Sequence, residues 1–86
     1  RKEGRTKGGL ESRNRAVRIL LVEDEPELAR SLVAQLTAQG FVVDHFATLG
    51  HAIEAVMGSE YRAVLLDRRL PDGDGLSLLP VLRTRA

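Results

Sequence analysis

Short apolar runs alternate with helical patterns along most of this chain. Residues 17–22, 41–46 and 61–66 are each rich in Val, Leu, Ile or aromatic side chains, as expected of strands in a parallel sheet. Between these runs, apolar residues recur every three or four positions, which is typical of amphipathic helices. The pattern from residue 17 onward therefore predicts an α/β fold built from three βα units.

Capping residues mark the ends of the first two predicted helices. Pro26 suits the first turn of a helix, and Gly40 supplies a left-handed stop at its end. Thr48 is a typical N-cap for the second helix, which ends near Gly58. The spacing also predicts that Met57 belongs to the apolar core face of this helix.

Turn-forming residues dominate the chain after the third strand. Residues 70–75 read LPDGDG, which predicts a loop that leads into a last helix from about Gly75. Pro80 would then lie in the second turn, where its missing N–H favours a kink.

Acidic residues follow two of the predicted strands. Right-handed crossovers place the first strand between the other two, so the sheet order is 2-1-3 with helices on both faces. Glu23 and Asp24 end the first strand, and Asp67 ends the third. Ligands of open α/β sheets bind at the carboxyl ends of the strands, where the strand order reverses. Because neighbouring strands lie about 4.8 Å apart, we expect these three carboxylates to converge.

Clustered carboxylates repel one another unless a cation is present. Oxygen ligands favour a hard ion such as Mg²⁺, which accepts a few carboxylates and shares its remaining positions with water or phosphate. The chain has no Cys, and His45 and His51 have no metal-ligand partner at a useful spacing. The available nucleophile is a carboxylate, which can form an acyl phosphate.

Composition and charge restrict the class of protein. The 86 residues, with 43% hydrophobic content and no Cys, fit one small cytoplasmic domain without thiol redox chemistry. No apolar run approaches the roughly 20 residues of a membrane span. Residues 1–18 hold seven Lys or Arg and two Glu, whereas residues 19–86 hold six basic and ten acidic residues. Residues 1–16 are therefore predicted to be a disordered basic arm, and a linker, a cloning remnant or a misplaced start is favoured over a nucleic-acid-binding role.

Three motifs in order resemble the receiver domain of bacterial response regulators. They are ILLVEDEP at residues 19–26, LLD at residues 65–67 and LPDGDG at residues 70–75. The resemblance covers residues 17–86 and implies a flavodoxin-like doubly wound parallel sheet, here limited to three βα units. It is closest to receivers that are attached to winged-helix DNA-binding domains.

The resemblance also implies a role for each candidate site residue. Asp67 is expected to accept a phosphoryl group from a sensor histidine kinase. Glu23 and Asp24 are the expected acidic pair that binds Mg²⁺ with Asp67, and the backbone carbonyl of Arg69 would complete the metal shell. Such a protein is a self-modifying switch rather than an enzyme, and it would contact DNA only through a C-terminal domain outside this sequence.

Some features depart from the family and keep alternatives open. Arg68 and Arg69 follow the expected phosphosite, where a small or apolar residue is more usual, so they form a solvated pair, ion pairs with Asp72 or Asp74, or a phosphate clamp. The family's fourth and fifth strands are not in this sequence, which favours a pseudo-receiver or interaction fragment as the alternative. An Asp-nucleophile phosphatase is disfavoured because Arg69 stands where its acid/base residue is needed. An open third-strand edge predicts homodimerisation or other self-association.

Overall fold

Secondary structure begins where the apolar pattern begins. The computed structural model describes residues 16–85, with the backbone only at residue 85, so the predicted arm lies outside the described residues except for Ala16. The elements in chain order are β1 (Arg18–Val22), α1 (Pro26–Ala38), β2 (Val42–Phe46), α2 (Leu49–Gly58), β3 (Ala63–Leu66), β4 (Arg69–Leu70), β5 (Gly73–Asp74), a 3₁₀ turn (Gly75–Ser77) and α3 (Leu78–Arg85).

The three longer strands form a parallel sheet in the order β2-β1-β3. In the middle of the sheet, Leu20 lies between Asp44 of β2 and Val64 of β3. This arrangement confirms the predicted 2-1-3 order. The outer edge of β3 pairs with no other strand among residues 16–85, and Leu65 on that strand is 39% exposed.

Among the described residues, three of the four largest fully buried side chains belong to the central strand, because both of its faces are covered. Leu20 and Val22 are fully buried in a cluster with residues from α2 and α3, including Leu49, Ala52 and Leu78. Side chains alternate along a strand, so Ile19 and Leu21 bury the opposite face of the sheet. The core thus fixes β1, and with it the residues that follow its carboxyl end.

Two predictions about the helices are wrong. Met57 is 56% exposed and does not belong to the core, because the buried stripe of α2 is formed by Leu49, Ala52 and Val56. Pro80 is the third residue of α3, since the segment that starts at Gly75 is first a separate 3₁₀ turn. The missing N–H of Pro80 therefore falls in the first helical turn, where it has no intrahelical acceptor to lose.

No helix within residues 16–85 combines the length and the apolar character that a membrane crossing requires.

Candidate functional site

The structure brings the three predicted carboxylates together at one edge of the sheet. Glu23, Asp24 and Asp67 each offer one carboxylate oxygen, and these oxygens lie within 4.8 Å of one another. The strand ladders continue into this group: the N–H of Glu23 donates to Phe46 at 3.0 Å, and the N–H of Asp67 donates to Val22 at 3.0 Å. The acidic cluster, as we call these three residues, is therefore fixed by the backbone of the sheet.

The members of the acidic cluster differ in exposure. Glu23 is 9% exposed, Asp67 is half-buried and Asp24 is exposed. One carboxylate oxygen of Glu23 accepts the backbone N–H of Glu25 at 3.1 Å. The carbonyl oxygen of Glu23 accepts a hydrogen bond from Nε2 of His45 at 2.8 Å, so this ring carries its proton on Nε2. Within the cluster, the carboxylate of Glu23 is thus held by the backbone, and Asp24 faces solvent.

Asp67 has a partner in the backbone two residues further along. The N–H of Arg69 donates to Oδ1 of Asp67 at 3.1 Å, which fixes one carboxylate oxygen. Oδ2 accepts no hydrogen bond from the described part of the chain, so it is free to act as a ligand or a nucleophile. A role for the backbone carbonyl of Arg69 in the metal shell stays a prediction.

The residues after Asp67 form a short hairpin instead of the plain loop predicted from the sequence. We call residues 68–75 the hairpin: Arg69 and Leu70 pair antiparallel with Asp74 and Gly73. The N–H of Gly75 closes it by donating to the carbonyl of Arg68 at 2.9 Å.

Gly75 lies so close to Asp67 that only glycine fits without movement of the backbone. A Cβ on Gly75 would overlap the carbonyl oxygen of Asp67 and would lie 3.0 Å from the side chain of Leu66. In the sequence Gly75 has the position of a turn residue, and its contact with Asp67 was not predicted. The only signal for this contact was that Gly75 belongs to the LPDGDG motif that resembles receiver domains.

Arg68 forms one of the predicted ion pairs. Its Nη2 lies 3.1 Å from Oδ2 of Asp74 across the hairpin, and both side chains are exposed. The hydrogen bond from Arg68, followed by one from the N–H of Leu76, holds the pKa of Asp74 below its ordinary value, and the same pairing raises the pKa of Arg68. Arg69 forms no ion pair with the described residues.

Asp72 has a different partner from the Arg residues predicted for it. Its two carboxylate oxygens accept the first two N–H groups of α2, from Leu49 at 2.7 Å and from Gly50 at 2.9 Å. These backbone hydrogen bonds, that from Gly50 first, lower the pKa of Asp72. The contact joins residues more than 20 positions apart, so local sequence patterns could not reveal it.

The donor set of the acidic cluster fits a hard divalent cation. No described Arg side chain forms a salt bridge with Glu23, Asp24 or Asp67. Two like charges 4.8 Å apart repel by about 1 kcal/mol in water and by about 3 kcal/mol at the effective dielectric of a protein surface. Mg²⁺ accepts carboxylate oxygens as ligands. Its charge would also offset the repulsion within the acidic cluster.

Comparison with known proteins identifies the family. Residues 19–86 match the family model of the response regulator receiver domain. The chain belongs to this family. The receiver is 45% identical over 80 residues to the transcriptional regulatory protein TcrA of Mycobacterium tuberculosis, covering 93% of this chain and 32% of that protein. It is 44% identical over 66 residues to the transcriptional activator protein PfeR of Pseudomonas aeruginosa, covering 77% of this chain and 22% of that protein.

Solved receiver structures have the same fold. The non-phosphorylated receiver domain of HemR from Leptospira biflexa matches with a TM-score of 0.75 and 33% identity, over 80% of this chain and 56% of that one. A CheY-like receiver domain from Methylobacillus flagellatus matches with a TM-score of 0.73 and 34% identity, over 79% and 58% of the two chains. The present chain thus spans a third or less of these curated relatives and just over half of these solved receivers. The flavodoxin-like fold, limited here to three βα units, is confirmed.

Proposed function

We propose that this receiver accepts a phosphoryl group from a sensor histidine kinase on Asp67. In this proposal Mg²⁺ is held by the carboxylates of Glu23, Asp24 and Asp67 and by the backbone carbonyl of Arg69. The observation that carries the proposal is the convergence of three carboxylate oxygens within 4.8 Å at the carboxyl edge of the sheet. The relatives are transcriptional regulators by name, which supports a signalling role over hydrolysis of a free substrate.

Each residue of the site has a distinct part in the proposed transfer. The N–H of Arg69 holds Oδ1 of Asp67 at 3.1 Å, which leaves Oδ2 to attack the phosphorus atom. As the new O–P bond forms, the P–N bond of the donor phosphohistidine breaks, and its electron pair returns to the imidazole nitrogen. Mg²⁺, when bound, neutralises the oxygens of the transferring group and lowers the cost of bringing them to a carboxylate.

The proposal extends to the partners of the whole protein. We propose a cytoplasmic response regulator that contacts DNA through a winged-helix domain separate from the receiver. Residues 17–86 form the receiver part in this proposal. Within residues 16–85 the outer edge of β3 pairs with no other strand and Leu65 is exposed, which supports self-association of this part of the chain through β3.

Phosphorylation with a small donor tests the proposal. We expect incubation with acetyl phosphate and Mg²⁺ to add one phosphate, detected by intact-mass spectrometry at neutral pH. The Asp67→Asn variant should add none, because the amide is not a nucleophile for this transfer. Asp44→Asn is the matched control: it also removes one charge from a sheet carboxylate, and it should be phosphorylated like the unaltered chain.

Two results would contradict the assignment. Persistence of the added mass in Asp67→Asn would place the phosphate on another residue. Absence of any added mass in the unaltered chain, under conditions where it is folded, would favour the pseudo-receiver alternative.

A further inference from the structure

The hairpin that follows Asp67 is attached to the rest of the receiver at its tip as well as at its base. At the tip, Asp72 binds the N-terminus of α2 with both carboxylate oxygens, at 2.7 Å from the nitrogen of Leu49 and 2.9 Å from that of Gly50. The third N–H of the helix, from His51, is accepted by Thr48 at 3.3 Å. The first turn of α2 therefore has two caps, one from its own chain segment and one from the hairpin.

Packing reinforces the contact between the hairpin tip and α2. Leu70 is 8% exposed and belongs to the same buried cluster as Leu49. Gly73 adopts a positive φ of 151°, and a Cβ at this residue would lie 3.2 Å from a methyl carbon of Leu49. The tip thus rests directly on the first residue of α2, where Asp72 reaches the helix amides.

The base of the hairpin contains the backbone groups that hold Asp67. The N–H of Arg69 donates to Oδ1 of Asp67, and Gly75 lies against the carbonyl oxygen of Asp67. The two-residue strands β4 and β5 join this base to the tip, and Arg69 is the first residue of β4. A shift of the tip is therefore transmitted to the backbone of Arg69 within a few residues.

We infer that Asp72 is a positioning residue, which fixes the hairpin on α2 and through it the orientation of the Asp67 carboxylate and the Arg69 backbone. This inference rests on the proposed function where it concerns Mg²⁺ and phosphate. Its geometric content, the link from α2 to the N–H of Arg69, holds without either ligand. Asp72 shares no hydrogen bond with the three carboxylates, so we expect its effect on them to pass through the hairpin.

The test compares the two caps of α2. Asp72→Ala removes the cap that belongs to the hairpin, whereas Thr48→Ala removes the local cap and leaves the hairpin attached. In the metal-free protein we expect hydrogen exchange of the Arg69 amide to quicken several-fold in Asp72→Ala and to stay unchanged in Thr48→Ala. We expect the Kd for Mg²⁺ to rise roughly tenfold in Asp72→Ala only, the lower end of the range for residues that orient metal ligands.

A conservative variant separates the positioning role of the Asp72 side chain from the effect of its charge. Asp72→Asn removes the negative charge but keeps one side-chain oxygen for the helix amides, so it should restore most of the Mg²⁺ affinity and of the Arg69 amide protection. If Asp72→Ala does not fold, Asp72→Asn carries the test, because a purely electrostatic role predicts weaker metal binding with no change in Arg69 exchange.

The outcomes distinguish this inference from the proposed function. Equal effects of Asp72→Ala and Thr48→Ala on the Arg69 amide, or no effect of Asp72→Ala, would overturn the positioning role. Failure of the unaltered chain to bind Mg²⁺ would overturn the proposed function instead, and the exchange of the Arg69 amide would still decide the role of Asp72.

Discussion

Two sets of carboxylates on the sheet have opposite surroundings. In the middle of β2, Asp44 accepts a hydrogen bond from Tyr61 at 2.6 Å and forms a salt bridge at 2.9 Å with Arg18, the first residue of β1. At the carboxyl end, the acidic cluster brings three carboxylates together, and none forms a salt bridge with the described residues. Asp44 is thus paired within the protein, whereas the acidic cluster has no salt-bridge partner among the described residues.

The difference separates a carboxylate that links strands from the carboxylates that we propose as metal ligands. A paired carboxylate such as Asp44 links neighbouring strands, and its charge is offset wherever the protein is folded. An unpaired cluster raises the free energy of the native state through mutual repulsion, and a bound divalent ion removes that cost. The comparison therefore predicts that metal affects the acidic cluster and not Asp44, and that substitutions at the two places have different kinds of consequence.

The largest effect on stability is expected at Gly75. Gly75→Ala places a methyl group against the carbonyl oxygen of Asp67, so the backbone has to move. We expect a loss of about 1–3 kcal/mol in the free energy of unfolding, typical of overpacking at a tight site, together with weaker Mg²⁺ binding.

Urea denaturation measures this loss, and Gly58→Ala is its control. A Cβ at Gly58, the last residue of α2, meets no atom within 4 Å, so this variant should be neutral or slightly stabilising. A Gly75→Ala variant as stable as Gly58→Ala would show that the close approach to Asp67 is not required.

A smaller effect on stability is expected at Tyr61, the hydrogen-bond partner of Asp44. Tyr61→Phe removes the hydrogen bond to Asp44 and should cost about 1 kcal/mol, with Mg²⁺ binding unchanged. Burial, followed by the hydrogen bond to Asp44, raises the pKa of Tyr61 from 10.0 to about 12. The folded state therefore holds the phenol proton more tightly than the unfolded state does.

The pH dependence of unfolding checks the sign of this shift. Because the folded pKa is the higher one, the stabilisation by Tyr61 is complete below pH 10 and is lost as the pH rises from 10 to about 12. The unaltered chain should lose stability across this range more steeply than Tyr61→Phe. Parallel curves for the two chains would contradict the raised pKa.

The smallest effect is expected for the exposed ion pair of the hairpin. Arg68→Ala breaks the pair with Asp74, but solvent-exposed pairs contribute little to stability. We expect an unchanged unfolding midpoint and an Mg²⁺ affinity within a factor of two of the unaltered chain. A large loss of phosphorylation in this variant would instead show that Arg68 acts on the incoming phosphate.

The features set by local pattern and handedness were predictable from the sequence. The apolar run of β1 and the crossover rule together place β1 in the centre of the sheet. The approach of Glu23 and Asp24 to Asp67 follows from that order, because each residue ends a neighbouring parallel strand. The sequence therefore predicts which carboxylates meet.

Features that depend on contacts between distant segments were not predictable in the same way. Asp72 reads as a turn residue, and nothing near it in the sequence indicates that it caps α2. Met57 has the spacing of a core residue but lies outside the buried stripe of Leu49, Ala52 and Val56. The position of Pro80 within α3 depends on where that helix begins, and the 3₁₀ turn after Asp74 sets this start. In each case tertiary packing chose among options that local propensity left open.

Titration with Mg²⁺, followed by amide chemical shifts, tests the central claim most directly. We expect changes centred on Glu23, Asp24, Asp67 and Arg69, with none at Asp44, and we expect Asp24→Ala to abolish them while Asp44→Ala leaves them intact. Shifts scattered over the sheet and including Asp44, or a response that survives Asp24→Ala, would contradict the claim that the acidic cluster is a metal site.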